Sequence, residues 1–435
     1  MNKYPPGQAL FLALGWKLLG HPWYGVWISF GLFSACLCWM LQNWVPPTYA
    51  VLGTAITLTN ISILGYWMNS YWGGAVAAIA GCLLLGAVPR LANRVKAKDV
   101  AIAAVALVLL ANTRPYEGLV MSVAAIAGLL VWRARGHRKF IELVSPRCAI
   151  PFLLICGAGA LLDGYYNYRV TGNALLMPYT LYARDYTIAP PLIILPARNP
   201  PVYQHVILEK SFELDLEHYQ RVKSSLIQNL TELYRIFHWY CSSLLLFPVV
   251  LAILLSRSYR LWMAVAICSC VWGGLLIEFN KFPHYIAPGV GLLPLLAVYG
   301  FRLLRVIGRS HGPVLVLTLA TLLCVQGAVA TRSRDRGTDW ETGRQSPQSF
   351  AAREAKKEGG RSLIIVRYVA DRHNGGDECV FNSADIDASQ IVWARDMGEA
   401  KNRELINYYR SSRKVWLYEP DTDPRKLIPY ASVSK

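Results

Sequence analysis

Ten apolar stretches occupy the first 331 residues of this 435-residue chain, at 24–41, 47–66, 70–88, 99–112, 116–132, 148–163, 239–256, 259–278, 284–302 and 312–331. Most approach the ~20 residues that a helix needs to cross a ~30 Å hydrocarbon core. Backbone N–H and C=O groups find no water there, so a spanning segment must satisfy them internally, as a helix does. The expectation is a mainly α protein built on a polytopic helical membrane domain of about ten transmembrane helices.

The basic residues between these stretches fall on alternate connections. Residues 89–98 hold Arg90, Arg94, Lys96 and Lys98 before the first acid, Asp99, and residues 132–147 hold Arg133, Arg135, Arg138, Lys139 and Arg147 against Glu142. Arg257 and Arg260, then Arg302, Arg305 and Arg309, fill the next two. The connections between them are uncharged or nearly balanced. By the positive-inside rule the basic connections face the cytoplasm, with anionic lipid as a further attraction. The net charge of +17 is therefore a topology signal. Membrane lipids are the expected partner and nucleic acid is not, because the charge forms no single basic face.

Following the alternation places residues 163–238 and the tail from 331 on the outer side. The loop carries seven basic and seven acidic residues, as suits a segment free of the positive-inside bias. Most of the ten cysteines lie inside apolar stretches and no CxxC pair occurs, so neither a disulfide framework nor a zinc site is indicated. The expected organisation is a membrane domain at 1–331 with its outer loop at 163–238, a polar linker at 332–347, and a small extramembrane α/β domain at 348–435. Within the tail, 362–369, 390–394 and 414–419 have strand character, and 349–358 and 399–410 have helical spacing. At the other end, residues 8–19 are apolar but too short for a confident span. Pro5 and Pro6 suit a helix start, so a helix lying at the outer surface is expected.

Polar and aromatic residues collect at the outer ends of the stretches. Trp67–Gly74 reads WMNSYWGG, where Asn69 and Tyr71 suit a flat polar ligand such as a sugar; an interfacial aromatic belt explains the same residues. Asn112–Gly118 reads NTRPYEG and puts Arg114 and Glu117 where ionisable groups are costly and face a partner or a cavity. Arg114 suits a phosphate, and an Arg114–Glu117 structural pair is the other reading. Lys281, His284 and Tyr285 form a third cluster that suits a phosphate or, equally, interfacial anchoring. Tyrosines at 165, 166, 168 and 179 suit carbohydrate or ordinary loop packing. P-loop, GxSxG, HExxH and GxGxxG signatures do not occur. His373, Asp377 and Glu378 in the tail are a weak metal candidate beside a plain turn.

Tyr4-Pro5-Pro6-Gly7, its apolar segment and Gly20-His21-Pro22-Trp23 resemble the double-proline element of the GT-C superfamily. These are membrane glycosyltransferases that use polyprenyl-phosphate sugars, among them protein O-mannosyltransferases, aminoarabinose transferases and Rgt-type enzymes. Asn69–Gly74, Arg114–Gly118, Tyr166–Asn173, His284-Tyr285 and the tail segments Ile365–Tyr368 and Val392–Arg395 look like one bacterial branch of it, so the resemblance covers essentially the whole chain. It implies a GT-C-like fold, a lipid-linked sugar donor, an acceptor glycan, lipid or protein, and a multi-pass place in the bacterial inner membrane with the C-terminal domain outside. Arg114, Lys281 and His284 would then hold the phosphate. Tyr4, Asn69, Tyr71, Glu117 and Tyr285 would contact sugar or acceptor.

One departure stands out. The superfamily carries a membrane helix and an outer loop with a catalytic acidic pair ahead of the double proline, whereas here only Met1, Asn2 and Lys3 precede Tyr4. The expectation is a truncated or inactive form, with the general-base carboxylate and any ligands for a divalent metal lying in the absent segment; no cofactor is identified. The competing reading is a non-catalytic membrane protein whose outer tail binds a partner or a glycan.

Overall fold

The computed structural model describes residues 3–60, 66–72, 74–203, 206–334, 347–369, 378–383, 385–409, 411–422 and 424–430. Two compact units emerge, one of Met1–Pro200 with Leu216–Asp335 and one of Pro201–Asp215 with Arg336–Lys435.

The first unit is helical throughout. Its helices are α1 (Gly7–Leu19), α2 (Trp23–Trp44), α3 (Pro47–Asn60), α4 (Gly74–Asn93), α5 (Ala97–Ala111), α6 (Pro115–Arg135), α7 (Pro146–Thr171), α8 (Pro178–Tyr186), the latter part of α9 (Val206–Ser224, which begins in the second unit), α10 (Leu226–Tyr240), α11 (Ser243–Leu255), α12 (Tyr259–Ile277), α13 (Leu292–Ile307) and α14 (Gly312–Arg334). A 3-10 turn, Pro283–Gly289, precedes α13.

Among the described residues six helices are long and apolar enough to cross a membrane, and eight if each bent pair counts as one span. The bent pairs are α10 with α11, at 98°, and the Pro283–Gly289 turn with α13, at 62°. The expected helical membrane architecture forms, with two of its spans bent. α5, at 15 residues, is shorter than a straight span requires. α7 runs on to Thr171 and α8 to α10 follow, so much of 163–238 is helix rather than open loop. Periodicity in an apolar run does not reveal where a helix continues past its apolar part.

α4 lies at the centre, buried on every side because its sequence, GAVAAIAGCLLLGAV, is mostly small. Small residues let neighbouring backbones come close. A Cβ at Gly81 would fall 1.8 Å from the Pro288 carbonyl oxygen, so this glycine is what lets the Pro283–Gly289 turn seat against α4. α7 is the opposite case. Leu153, Leu154, Leu161 and Leu162 point outward from a helix that is apolar all round, as lipid contact requires. The N-terminal segment does form a helix. α1 ends at Gly20, whose φ of 80° is left-handed, and packs on α2 through Gly15 and Gly25, where a Cβ on Gly15 would meet the Gly25 nitrogen at 2.1 Å.

The second unit has α15 (Pro347–Lys357), α16 (Glu399–Tyr409) and strands β1 (Ser362–Val366), β2 (Ile391–Arg395), β3 (Lys414–Glu419) and β4 (Lys426–Pro429). The sheet order is β2-β1-β3-β4. β1 is parallel to both neighbours, pairing Ile364 with Trp393 and with Trp416, while β4 runs antiparallel to β3. Leu363 and Ile365 face one apolar cluster and Ile364 and Val366 the other, the two-sided burial of a central parallel strand.

Candidate active site

The α5–α6 turn organises the charged end of the first unit. Pro115 stands at the first position of α6, which its fixed φ and missing N–H suit, and this directs Arg114 off the helix as its N-cap. The N-terminal double-proline segment is tied to the same turn. Gly7 N–H donates to the Asn112 carbonyl at 2.7 Å, and a Cβ on Gly7 would come 2.4 Å from Thr113 Cγ2. Tyr166 donates its hydroxyl to the Tyr4 carbonyl at 2.8 Å, which brings α7 to the segment.

Arg114 is the hub. Its Nη1 lies 3.4 Å from Glu117 Oε1, and its guanidinium sits 4.5 Å over the Tyr285 ring. The Pro283–Gly289 turn supplies His284, 1% exposed, whose Nδ1 is 2.5 Å from the Tyr66 hydroxyl. Trp72, Phe282 and Tyr285 surround that imidazole at centroid distances of 5.1, 5.7 and 5.0 Å. Lys281, its side chain 1% exposed, points Nζ at the Glu278 carbonyl at 2.7 Å and lies 3.9 Å from Glu232 Oε2. His218 approaches the same carboxylate at 3.7 Å. Burial lowers the Lys281 ammonium from its usual range, against the pull of Glu232 and Glu278. A cavity of about 350 Å³ opens here, lined by His218, Glu232, Arg235, Trp239, Lys281 and Phe282 among others.

Glu278 completes the cluster. It follows the last residue of α12, is 6% exposed, and has a buried Oε1 that no donor among the described residues reaches. Burial first and the Glu117 charge second push its carboxyl up to about 9, opposed by Arg114 and Lys281. Tyr179, on α8, is pushed up to about 12 by burial and then by Tyr4, Glu278 and Glu117. Two carboxyls, two cations, an imidazole and a set of phenols thus share one buried region. Chemically, it can neutralise an anion and hydrogen-bond a polyhydroxylated group beside it.

Two solved structures show the same architecture. The apo structure of ArnT from Cupriavidus metallidurans aligns with a TM-score of 0.54 at 10% identity, over 96% of this chain and 82% of that one. The structure of the same protein bound to undecaprenyl phosphate aligns with a TM-score of 0.55 at 12% identity, over 96% and 83%. This chain has the GT-C fold of ArnT. It is a multi-pass membrane protein. No family model and no curated protein sequence matches it.

Within this GT-C fold the residues singled out from sequence divide into two groups. Arg114, Glu117, Lys281, His284 and Tyr285 converge, and Tyr4 reaches their edge through the bonds of its segment. Tyr71 stands apart, packed edge-on against Trp23 at 5.6 Å, while Trp72 of the same turn reaches His284; Asn69 forms no hydrogen bond to the cluster among the described residues. Of the tail metal candidates, His373 and Asp377 lie outside the described residues. Glu378 is bound by Tyr368, Arg395 and the Val380 N–H. Among the described residues no group of three or more His, Cys, Asp or Glu is placed to hold a metal ion. Sequence reasoning missed Glu278, Glu232 and Tyr66. For Glu278 a signal existed: an acid directly against an apolar span is unusual enough to single out.

Proposed function

We propose that this protein is a glycosyltransferase that moves a sugar from a polyprenyl-phosphate carrier to an acceptor at the outer face of a bacterial inner membrane. One observation carries the reading: Arg114, over the ring of Tyr285 next to His284, and Lys281 both act on the buried Glu278 carboxyl, in a fold whose solved neighbour holds undecaprenyl phosphate. The basic connections on the opposite side support an outward-facing cluster and an extracytoplasmic tail.

In the transfer, an acceptor oxygen attacks the anomeric carbon, the bond from that carbon to the phosphate oxygen breaks, and negative charge grows on the leaving phosphate. Arg114 and Lys281 are fixed cations in a poorly hydrated region, where such charge stabilisation is strongest. His284, held by Tyr66 and stacked against Phe282, would add a further contact to the same phosphate. Glu117, kept beside Arg114, and Tyr4, at the edge, face the acceptor side.

The test uses purified protein in lipid nanodiscs with radiolabelled undecaprenyl-phosphate sugars and a membrane extract as acceptor source. Wild type is expected to bind undecaprenyl phosphate and to release label from the carrier in an Arg114-dependent way. Failure to bind the carrier at all would overturn the reading.

A further inference from the structure

We propose that Glu278 is a substrate-contacting residue of this site, its carboxyl exchanging hydrogen bonds with hydroxyl groups of the sugar that the lipid phosphate carries. The inference rests on the proposed function and adds a specificity residue to it.

Three observations lead there. First, Glu278 is 6% exposed and its Oε1 has no donor among the described residues, an arrangement that buried polar groups rarely tolerate unless water, an ion or a ligand completes it. Second, the backbone is clamped on both sides of Glu278, which fixes where its side chain leaves the chain. Ile193 N–H donates to the Ile277 carbonyl at 2.7 Å, Phe279 N–H to the Pro191 carbonyl at 3.2 Å, and Lys281 Nζ to the Glu278 carbonyl at 2.7 Å. Leu192 and Glu278 form an antiparallel bridge between these bonds. Third, the neighbours suit what would be attached to a phosphate. The charges of Arg114 and Lys281 oppose the rise of the Glu278 carboxyl, and Tyr116, Tyr179 and Tyr285 lie within electrostatic range of it. A sugar linked to a phosphate held by those cations would meet a carboxyl and aromatic rings.

With its carboxyl pushed up to about 9, Glu278 keeps its proton at neutral pH. A neutral carboxyl both donates and accepts, which matches a pair of sugar hydroxyls, and it does not repel the phosphate. Glutamine has the same two capabilities in nearly the same shape. Alanine has neither.

The experiment measures binding to the full chain in nanodiscs. The probes are bare undecaprenyl phosphate and its glucose, galactose, mannose, arabinose and N-acetylglucosamine derivatives. Wild type should bind at least one derivative more tightly than the bare carrier. Glu278→Ala should lose about tenfold of that gain, the scale of one or two neutral hydrogen bonds, while binding the bare carrier as wild type does, which also shows that it folds. Glu278→Gln should stay within about threefold of wild type. An equal loss on the bare carrier would make Glu278 merely structural, and a Gln variant as weak as the Ala variant would mean an ionised carboxylate; either overturns the inference. So would wild type binding no derivative better than the carrier. If the bare carrier itself is not bound, the proposed function fails instead.

Discussion

Two ends of the helical unit carry the same residue types and treat them differently. At the α4–α5 and α6–α7 turns, Arg90 meets Asp99 at 2.6 Å and also reaches Asn43. Arg133, fully buried, donates to the Leu91 and Lys139 carbonyls and to Glu142 at 2.9 Å. Nearly every polar atom there has a partner, apart from Arg133 Nε. At the α5–α6 turn the Arg114–Glu117 separation is 3.4 Å, and Glu278 has an oxygen without a partner among the described residues. Closed networks of charge position helices, whereas an open one leaves groups for a ligand to complete. The tail repeats the closed pattern. Burial works to raise the Glu378 carboxyl, yet the Tyr368 hydroxyl, the Val380 N–H and Arg395 together hold it below its usual range.

The contrast can be broken by substitution. Arg90→Ala leaves Asp99, 2% exposed, without its cation and should cost about 3–5 kcal/mol of stability, read by thermal unfolding in nanodiscs. Arg114→Ala should lower transfer from a lipid-linked sugar by about 100- to 1000-fold yet reduce stability less than Arg90→Ala. Equal stability losses would erase the distinction between the two ends. A smaller effect concerns pH. Above the usual carboxylate range the unfolded chain has released the Glu278 proton while the folded chain keeps it up to about 9. The native state then binds more protons, so this residue's contribution to stability falls as pH rises through that window. Glu278→Gln removes the titration, and its Tm relative to wild type should climb between about pH 5 and about pH 8. A flat difference across that range would contradict the buried, protonated state. The smallest effect is expected from Tyr66→Phe, which deletes the hydroxyl beside His284 Nδ1. About 0.5–1.5 kcal/mol of stability should go with that hydrogen bond, measured as a shift in denaturation midpoint.

The helical membrane architecture was legible in the chain because apolar length and alternating charge are local quantities that lipid reads directly. Arg114, Lys281, His284 and Tyr285 were legible too, since each sits in a short run of polar and aromatic residues at a stretch end. Other features were not. The bends of 98° between α10 and α11 and of 62° before α13 leave the apolar pattern intact, so they cannot be read from hydropathy. Tyr66 ends an apolar stretch and meets His284 across 218 positions; no local rule links them.

Glu278 shows where the boundary lies. By itself the sequence determined that this chain must be helical in a membrane, with a basic side and an opposite side bearing arginine, lysine, histidine and aromatic residues. It placed one more acid at the end of one more stretch and said nothing of its charge. Only the tertiary structure decided that Gly7 docks on the α5–α6 turn and that the 191–193 segment clamps the backbone around Glu278. It also decided that the buried carboxyl feels Arg114, Glu117 and Lys281 while one of its oxygens has no donor among the described residues. The physical reason is that protonation and hydrogen-bond satisfaction depend on burial and on neighbours distant in sequence, and those exist only once the helices have packed.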